Sequence, residues 1–251
     1  MMQRRRLTPE TIRAVVGKRS PAARTLVPAL YAALGAKPDP YQRWLAGFSL
    51  RKQRPLSDVA RHLHMPTDKQ ELDAPRLVFA LRTYFAIVMK CFAADVCGLP
   101  WSDVSPQQAM QRIEQDEHPD SPFYLLTNWH LADDPHRWYL HDWHPAVDNG
   151  FQKLIKAIHT CDLTSSKGDT LKTLYYNLHP SRLRHALGEY YTPDWLAEMT
   201  LDAMGYTGTG RLLDPTCGTG TFLLLALRRV LAQADMTAQQ ALTQIAGIDV
   251  N

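Results

Sequence analysis

The sequence is poor in cysteine. Only four of its 251 residues are cysteines, namely Cys91, Cys97, Cys161 and Cys217. Four cysteines in a chain of this length do not form the disulfide framework of a small secreted protein. We therefore expect a protein of the reducing cytoplasm.

The sequence also lacks an uninterrupted apolar run. Its most apolar stretch, residues 77–96, contains Arg82, Lys90 and Asp95, whereas a membrane-spanning helix needs about 20 mostly apolar residues. No apolar signal-peptide core follows the arginines near the N-terminus. With 45% hydrophobic and 21% charged residues, the composition is that of a globular protein without a membrane partner.

Several motifs of common enzymes are missing. No Gly-Lys-Ser/Thr follows a glycine loop, which excludes a nucleoside-triphosphatase loop, and no His-Glu-x-x-His occurs. We predict no metal ligands. A metal site remains an open alternative for the histidine-rich segment, and its tryptophans would stack on bases or pack in a core. The histidines and tryptophans of that segment are His118, His130, His136, His141, His144, Trp129, Trp138 and Trp143.

Charge is distributed unevenly along the chain. Residues 1–61 contain 13 Lys and Arg but 3 Asp and Glu, whereas residues 62–150 contain 6 and 13. Two interpretations stay open. The basic first quarter either contacts nucleic-acid phosphates, with Arg4, Arg5 and Arg6 as candidates, or pairs with the acidic middle of the same chain.

The chain divides by character into two predicted domains. Residues 1–165 have helical periodicity, with a buried helix over 77–97, and carry no motif that assigns a role. Residues 164–169 are small and polar and form the predicted linker. We place a mostly helical N-terminal domain at 1–165 and a second domain at 166–251.

The second domain begins like an α/β protein. An apolar run ends in Asp214, a Gly/Thr-rich loop and a long apolar helix follow, and a second run ends in Asp249. This order predicts the first βαβ portion of a doubly wound sheet. Gly218 and Gly220 permit sharp turns and close approach of a ligand. The following helix offers unpaired N–H groups to an anionic group of that ligand.

The loop sequence resembles a known family. Asp-Pro-Thr-Cys-Gly-Thr-Gly-Thr-Phe at 214–222 looks like motif I of S-adenosylmethionine-dependent methyltransferases. Gly-Glu-Tyr-Tyr-Thr-Pro at 188–193 resembles motif X of the N6-adenine DNA methyltransferases of restriction-modification and phage-defence systems. Ala-Gly-Ile-Asp at 246–249 resembles motif II. This resemblance implies a class I (Rossmann-like) methyltransferase fold and a flipped adenine in DNA as substrate.

The resemblance also implies roles for individual residues. Tyr191, Thr192 and Pro193 would line the cofactor pocket, Asp214 would meet the methionine amino group, and Asp249 would bind the ribose hydroxyls. Simple loop ordering is the alternative for Asp214. Cys217 would pack as a small residue in the loop. The alternative role for Cys217 is a reactive thiolate at the helix start. The remaining predicted binding residues wrap the cofactor, namely Pro215, Thr216, Gly218, Thr219 and Gly220.

The catalytic Asn/Asp/Ser-Pro-Pro-Tyr/Phe motif of this family does not occur in the sequence, which contains no Pro-Pro pair. In the order that the resemblance implies, this motif follows motif II. We therefore name no catalytic residue. We expect the chain alone to be inactive and to need a further segment or a separate polypeptide. Two alternatives remain: an RNA methyltransferase, and a non-catalytic module that binds DNA or a subunit.

Overall fold

A computed structural model describes residues 4–36, 39–47, 56–67, 72–98, 104–115, 135–140, 143–165, 170–187 and 189–249. The chain forms two compact units, Met1–Gly188 and Glu189–Asn251. Each unit has its own hydrophobic cluster.

The first unit is helical, as predicted. Its helices are α1 (Pro9–Val15), α2 (Pro21–Ala33), α3 (Asp39–Gly47), α4 (Ser57–His62), α5 (Ala74–Val96), α6 (Pro106–Gln115), α7 (Pro145–Ile158), α8 (Thr170–Leu178) and α9 (Ser181–Leu187). Two short strands, β1 (Arg5–Arg6) and β2 (Cys161–Asp162), pair in parallel.

Several helices of this unit start by the same local device. In α1, α2 and α5, the side chains of Thr8, Ser20 and Asp73 each accept a hydrogen bond from a backbone N–H of the following first turn, and a proline occupies the first or second helical position. A side-chain acceptor satisfies one of the amides that a helix start leaves unpaired, and proline has its φ already fixed for the helix. These starts follow directly from the local sequence.

Helix α5 is the centre of the core. Twelve of its side chains are buried, and the hydroxyl of Tyr84 donates to the carbonyl of Val16 at 2.8 Å. By length and composition this helix could span a membrane, but 67% of its most apolar window lies inside the protein. A buried core helix meets the same criteria of length and composition. The burial of α5 agrees with the buried helix predicted over 77–97.

Helices α2 and α7 approach each other closely. A Cβ on Gly150 would lie 2.7 Å from the Cα of Leu26, so only glycine fits at this crossing. Trp138, at 2% exposure, is also buried in this unit, and its indole N–H donates to Thr83 Oγ1 at 3.1 Å. The ring of Trp143 stacks on Phe151 at 5.1 Å. For these two tryptophans the packing interpretation is the one observed.

The N-terminal strand is tied to the helical core by a buried acid. The Asp95 side chain is only 4% exposed. Its Oδ2 lies 3.1 Å from Nη1 of Arg4, and its Oδ1 lies 3.4 Å from Nε2 of His159. Arg4 therefore pairs within the chain, as one of the two interpretations of the basic segment predicted.

The unit boundary differs from the predicted domain boundary at 165/166. Helices α8 and α9 lie in the first unit because Leu174, Leu178 and Leu183 are buried in its core. The division falls at Gly188. Most of the predicted linker, 166–169, lies outside the described residues, and Leu163–Ser165 forms a 3₁₀ turn.

The second unit contains helices α10 (Asp194–Ala203), α11 (Thr221–Leu231) and α12 (Ala238–Leu242) and strands β3 (Leu212–Asp214) and β4 (Ile245–Gly247). The strands pair in parallel, with Leu212 opposite Ile245 and Asp214 opposite Gly247. Parallel strands require a crossover, and α11 with α12 supplies it. The predicted strand–loop–helix–strand order is confirmed. Among the described residues this sheet has two strands.

The two faces of this sheet differ. Leu212 packs with α10 and α11, where Ala197, Leu201 and Leu225 are buried, whereas Leu213 points to the opposite face and is 59% exposed. On α10, the large side chains of Trp195, Met199 and Met204 are exposed, and the small Ala197 packs in the core of this unit.

Candidate functional site

The predicted glycine loop connects β3 to α11 in the second unit. Asp214 ends β3, residues 215–220 turn, and α11 begins at Thr221. The chain returns at β4, and Ile248 and Asp249 follow that strand. Because β3 and β4 are parallel, Asp214 and Asp249 both lie at the carboxyl edge of the sheet, which is where open α/β sheets bind ligands.

Backbone hydrogen bonds hold the loop against the end of β4. The amide of Cys217 donates to the carbonyl of Ile248 at 2.9 Å, and the amide of Ile248 donates to the carbonyl of Asp214 at 2.9 Å. The loop and the segment after β4 are thus one hydrogen-bonded structure, although they are distant in the sequence.

Both predicted acids also bind loop amides. Asp214 Oδ1 accepts from the amide of Thr216 at 3.1 Å, and Asp249 Oδ2 accepts from the amide of Gly218 at 2.8 Å. Loop ordering, left open for Asp214, is therefore observed for both carboxylates. Hydrogen bonds to a carboxylate are stronger than those between neutral groups, so this pair fixes the loop conformation.

The two loop glycines adopt backbone conformations that favour glycine. Gly218 has φ +53° and Gly220 has φ +84°, a region that costs an L-residue with a Cβ free energy. A Cβ on Gly218 would also lie 3.4 Å from Cε1 of Tyr191. The structure therefore brings the predicted Tyr191 ring beside the predicted loop.

A third glycine near the loop was not singled out in the sequence. A Cβ on Gly247 would lie 2.5 Å from Cδ1 of Leu223 and 2.9 Å from Sγ of Cys217. The absent side chain lets α11 and the loop approach β4. The position of Gly247 in the Ala-Gly-Ile-Asp element was the one signal in the sequence for its role. Its close contacts with Leu223 and Cys217 join residues that are distant in the sequence.

The start of α11 has no side-chain acceptor. Its N-cap is Gly220, which makes no side-chain hydrogen bond, and the amide of Leu224 donates to the Gly220 carbonyl at 2.8 Å. Next to it, Thr219 Oγ1 is buried without a hydrogen-bond partner among the described residues. A buried hydroxyl without a partner costs free energy. A ligand acceptor at this helix start would remove that cost.

The electrostatic environment of the loop is acidic. Burial raises the pKa of the Cys217 thiol, and the carboxylates of Asp249 and Asp214 raise it further. The helix start alone would favour the thiolate form of Cys217, but burial and the two carboxylates oppose it. Cys217 is therefore not an activated nucleophile. Its contact position against Gly247 fits the predicted packing role.

Thr192 and Pro193 lie directly before α10. Pro193 is its N-cap residue, and its carbonyl accepts from the amide of Leu196 at 3.0 Å. Contacts within the second unit bring together Tyr191, Asp214, Cys217, Gly218 and Asp249. Pro215, Thr216, Thr219 and Gly220 complete the loop.

The histidine-rich segment is only partly described. His118, His130, His141 and Trp129 lie outside the described residues, whereas His136 and His144 lie within them. His144 caps α7 by accepting from the amide of Ala146. The described ranges contain no group of three or more potential metal ligands.

One comparison with known proteins gives a match in the C-terminal part of this sequence. A sequence model of the family described as N-6 DNA Methylase matches residues 176–251. Residues 176–251 belong to the N-6 DNA methylase family. Neither a search of curated proteins nor a search of solved structures gives a significant match to this chain.

The N-6 DNA methylase match includes all three elements that carried the resemblance, at 188–193, 214–222 and 246–249. It begins within α8 (Thr170–Leu178), so the matched sequence also includes the last helices of the first unit. The family supports DNA methyltransferase activity in general.

Proposed function

We propose that residues 189–249 form the S-adenosylmethionine site of a DNA methyltransferase that modifies N6 of adenine in a restriction-modification or phage-defence system. A loop held between two carboxylates at the carboxyl edge of parallel strands carries this proposal. The family match over 176–251 supports it. The complete enzyme would have a Rossmann-like sheet, of which β3 and β4 are the first two strands.

The acidic surroundings favour this cofactor over a nucleotide phosphate. Burial raises the pKa of Cys217 most, and the carboxylates of Asp249 and Asp214 raise it further. The negative potential of these two carboxylates would repel a pyrophosphate held by the loop. S-adenosylmethionine carries a sulfonium and an ammonium cation, both of which such a potential attracts. It supplies an activated methyl group when bound.

The same cofactor carries one carboxylate, and the start of α11 suits it. The helix has eleven residues and no side-chain cap, and its N-terminal dipole end attracts a negative group. We assign the unpartnered hydroxyl of Thr219 as a further donor to this carboxylate.

Each acid keeps a second role in this proposal. Asp214 Oδ1 accepts from the loop amide of Thr216, and the other oxygen of Asp214 would meet the ammonium group. Asp249, which orders Gly218, would accept from the ribose hydroxyls. The ring of Tyr191, with Thr192 and Pro193, would form one wall.

The chemical step needs a group that the 251 residues do not supply. They contain no Asn/Asp/Ser-Pro-Pro-Tyr/Phe element, whose polar side chain and aromatic ring would hold a flipped adenine. We propose that the second unit binds the cofactor and that another polypeptide segment provides this element.

Calorimetric titration of the 251-residue chain with S-adenosylmethionine tests the proposal. We expect one site, an at least tenfold weaker affinity in Asp214→Asn, and an unchanged affinity in Asp235→Asn. Asp235 is a matched control because it is exposed in the same unit, and its φ of +60° tolerates asparagine. Absence of binding by a chain with native circular dichroism would contradict the proposal.

Methyl transfer separates the alternatives. The chain alone should transfer no labelled methyl group to DNA, while the chain joined to the missing element should methylate adenine in DNA. Transfer to RNA instead would favour the RNA methyltransferase, and cofactor-independent DNA binding without transfer would favour the non-catalytic module.

A further inference from the structure

The first unit contains a stretch of chain without acidic residues. Between Glu10 and Asp39 the sequence has five Lys and Arg and no Asp or Glu. Arg13 lies 3.9 Å from Glu10 at the start of this stretch, whereas the cations after it have no acidic neighbour close in the sequence before Asp39. The fold then decides whether acids from elsewhere in the chain pair with them.

The fold adds further cations to part of this stretch. We define the basic patch as Lys18, Arg19, Arg24, Arg61 and Lys153. Arg24 Nε donates to the carbonyl of His62 at 2.9 Å. Lys153 Nζ, from α7, donates at 2.9 Å to Oγ1 of Thr25, the residue after Arg24. These two hydrogen bonds link α2 to α4 and to α7 within a single compact unit.

His62 orients Arg19 within the basic patch. Arg19 Nη2 lies 2.7 Å from His62 Nε2, and His62 Nδ1 lies 2.6 Å from the carbonyl oxygen of Asp58. A guanidinium only donates and a carbonyl only accepts. In this arrangement His62 Nε2 accepts from Arg19, and His62 Nδ1 donates to the Asp58 carbonyl. This arrangement holds the Arg19 side chain without neutralising its charge.

Acidic partners are scarce in the basic patch. Within the described ranges, the one carboxylate that forms an ion pair with it is Asp58, which lies 3.1 Å from Arg61, and both side chains are mostly exposed. Neighbouring charges act on each other here: burial lowers the pKa of Lys18, and Arg19 lowers it further. By contrast, Arg4 has Asp95 and Arg229 has both Glu198 and Asp202 as partners.

We infer that the basic patch binds the phosphate backbone of duplex DNA. This inference rests on the proposed function, because a DNA methyltransferase must hold a polyanionic duplex. Lys and Arg side chains that neutralise phosphates supply most of the sequence-independent affinity for DNA. Exposed, oriented cations with few acidic partners are suited to this role.

The inference moves the expected phosphate contact from the N-terminal arm to the helical surface. Arg4 is engaged by the buried Asp95, so releasing it for DNA would leave that carboxylate with His159 as its remaining ion-pair partner within the described ranges. Arg19, Arg61 and Lys153 are exposed, and they can meet a phosphate without breaking a buried ion pair.

The test compares two charge-reversal proteins in the full 251-residue chain. The first is Arg19→Glu/Arg61→Glu/Lys153→Glu, in which all three sites are exposed. The second is Arg112→Glu, on an exposed position of α6. Binding of a fluorescent duplex of about 30 base pairs is followed between about 50 and 200 mM salt. Calorimetry with S-adenosylmethionine on the same proteins reports the other unit separately.

We expect the triple variant to bind DNA at least tenfold more weakly. The slope of log affinity against log salt should fall by about 3, because each neutralised phosphate contributes about 0.9. Arg112→Glu should stay within about twofold of the unaltered chain, and cofactor binding should be unchanged in both. Equal DNA affinity in the triple variant and Arg112→Glu would overturn the inference. So would patch-dependent binding to phosphatidylserine vesicles without DNA binding. If the unaltered chain does not bind S-adenosylmethionine, that result would instead count against the proposed function.

Discussion

The amide of Gly218 donates a 2.8 Å hydrogen bond to Asp249 Oδ2, across 31 residues of sequence. This bond joins the glycine loop after β3 to the acid after β4. Asp249 is consequently both a part of the loop's framework and the proposed ribose ligand. A change at this position should therefore alter loop order as well as affinity.

We expect Asp249→Ala to loosen the loop and Asp249→Asn to preserve much of its order, because asparagine keeps an oxygen acceptor for the Gly218 amide. Hydrogen exchange of the backbone amides of residues 216–220 measures this effect. Exchange should be faster in Asp249→Ala by a factor that corresponds to about 1–2 kcal/mol, the cost of losing a charge-assisted hydrogen bond. Equal exchange in both variants would show that the contact does not order the loop.

Gly247→Ala should destabilise the second unit. Its Cβ would lie 2.5 Å from Leu223 Cδ1 and 2.9 Å from Cys217 Sγ, and overpacking of this kind typically costs about 1–3 kcal/mol. Urea denaturation measures the loss. Gly47→Ala is the control, since nothing lies within 4 Å of a Cβ at Gly47. Equal stability of the two variants would mean that Leu223 and Cys217 move aside without cost.

His179 should make the first unit sensitive to acid. It is fully buried, and neither ring nitrogen has a hydrogen-bond partner within the described part of the chain. Burial, followed by Arg82, lowers its pKa from 6.5 to about 3. The unfolded chain therefore binds a proton below pH 6.5 that the folded chain does not bind until about pH 3. His179 should reduce stability progressively as the pH falls through this window, and not above it.

His179→Phe should remove this contribution. The free energy of unfolding, measured by urea denaturation from pH 7 to 4, should fall less steeply than in the unaltered chain, by up to about 1.4 kcal/mol per pH unit. His64→Gln, at an exposed position, should keep the original pH dependence. An unchanged slope in His179→Phe would contradict the assignment.

Asp95→Asn should destabilise the first unit more than Asp58→Asn. The Asp95 side chain is 4% exposed and bound by Arg4 and His159, whereas Asp58 and its partner Arg61 are largely exposed. Since Arg4 and His159 are themselves partly exposed, we expect a loss of about 1–2 kcal/mol rather than the full cost of breaking a buried pair. Asp58→Asn should stay within about 0.5 kcal/mol. Thermal denaturation of the two variants checks the difference.

The local sequence determined most of the secondary structure and the loop. Thr8-Pro9 and Ser20-Pro21 start helices by themselves, because capping uses neighbouring residues. The order of strand, glycine loop, helix and strand likewise follows from the chain, so the position of the loop at 215–220, at the carboxyl edge of the strands, was predictable. The family resemblance was confirmed by the match to 176–251.

Only the tertiary structure decided the contacts between distant residues. Helices α8 and α9 belong with the helical core because Leu174, Leu178 and Leu183 find buried neighbours there. The basic patch gains Arg61 and Lys153 from other helices, which no charge count along the chain could show. Burial and pairing depend on packing across the fold, whereas helix caps and glycine turns depend on adjacent residues. That difference explains why the sequence alone predicted the glycine loop but not the patch.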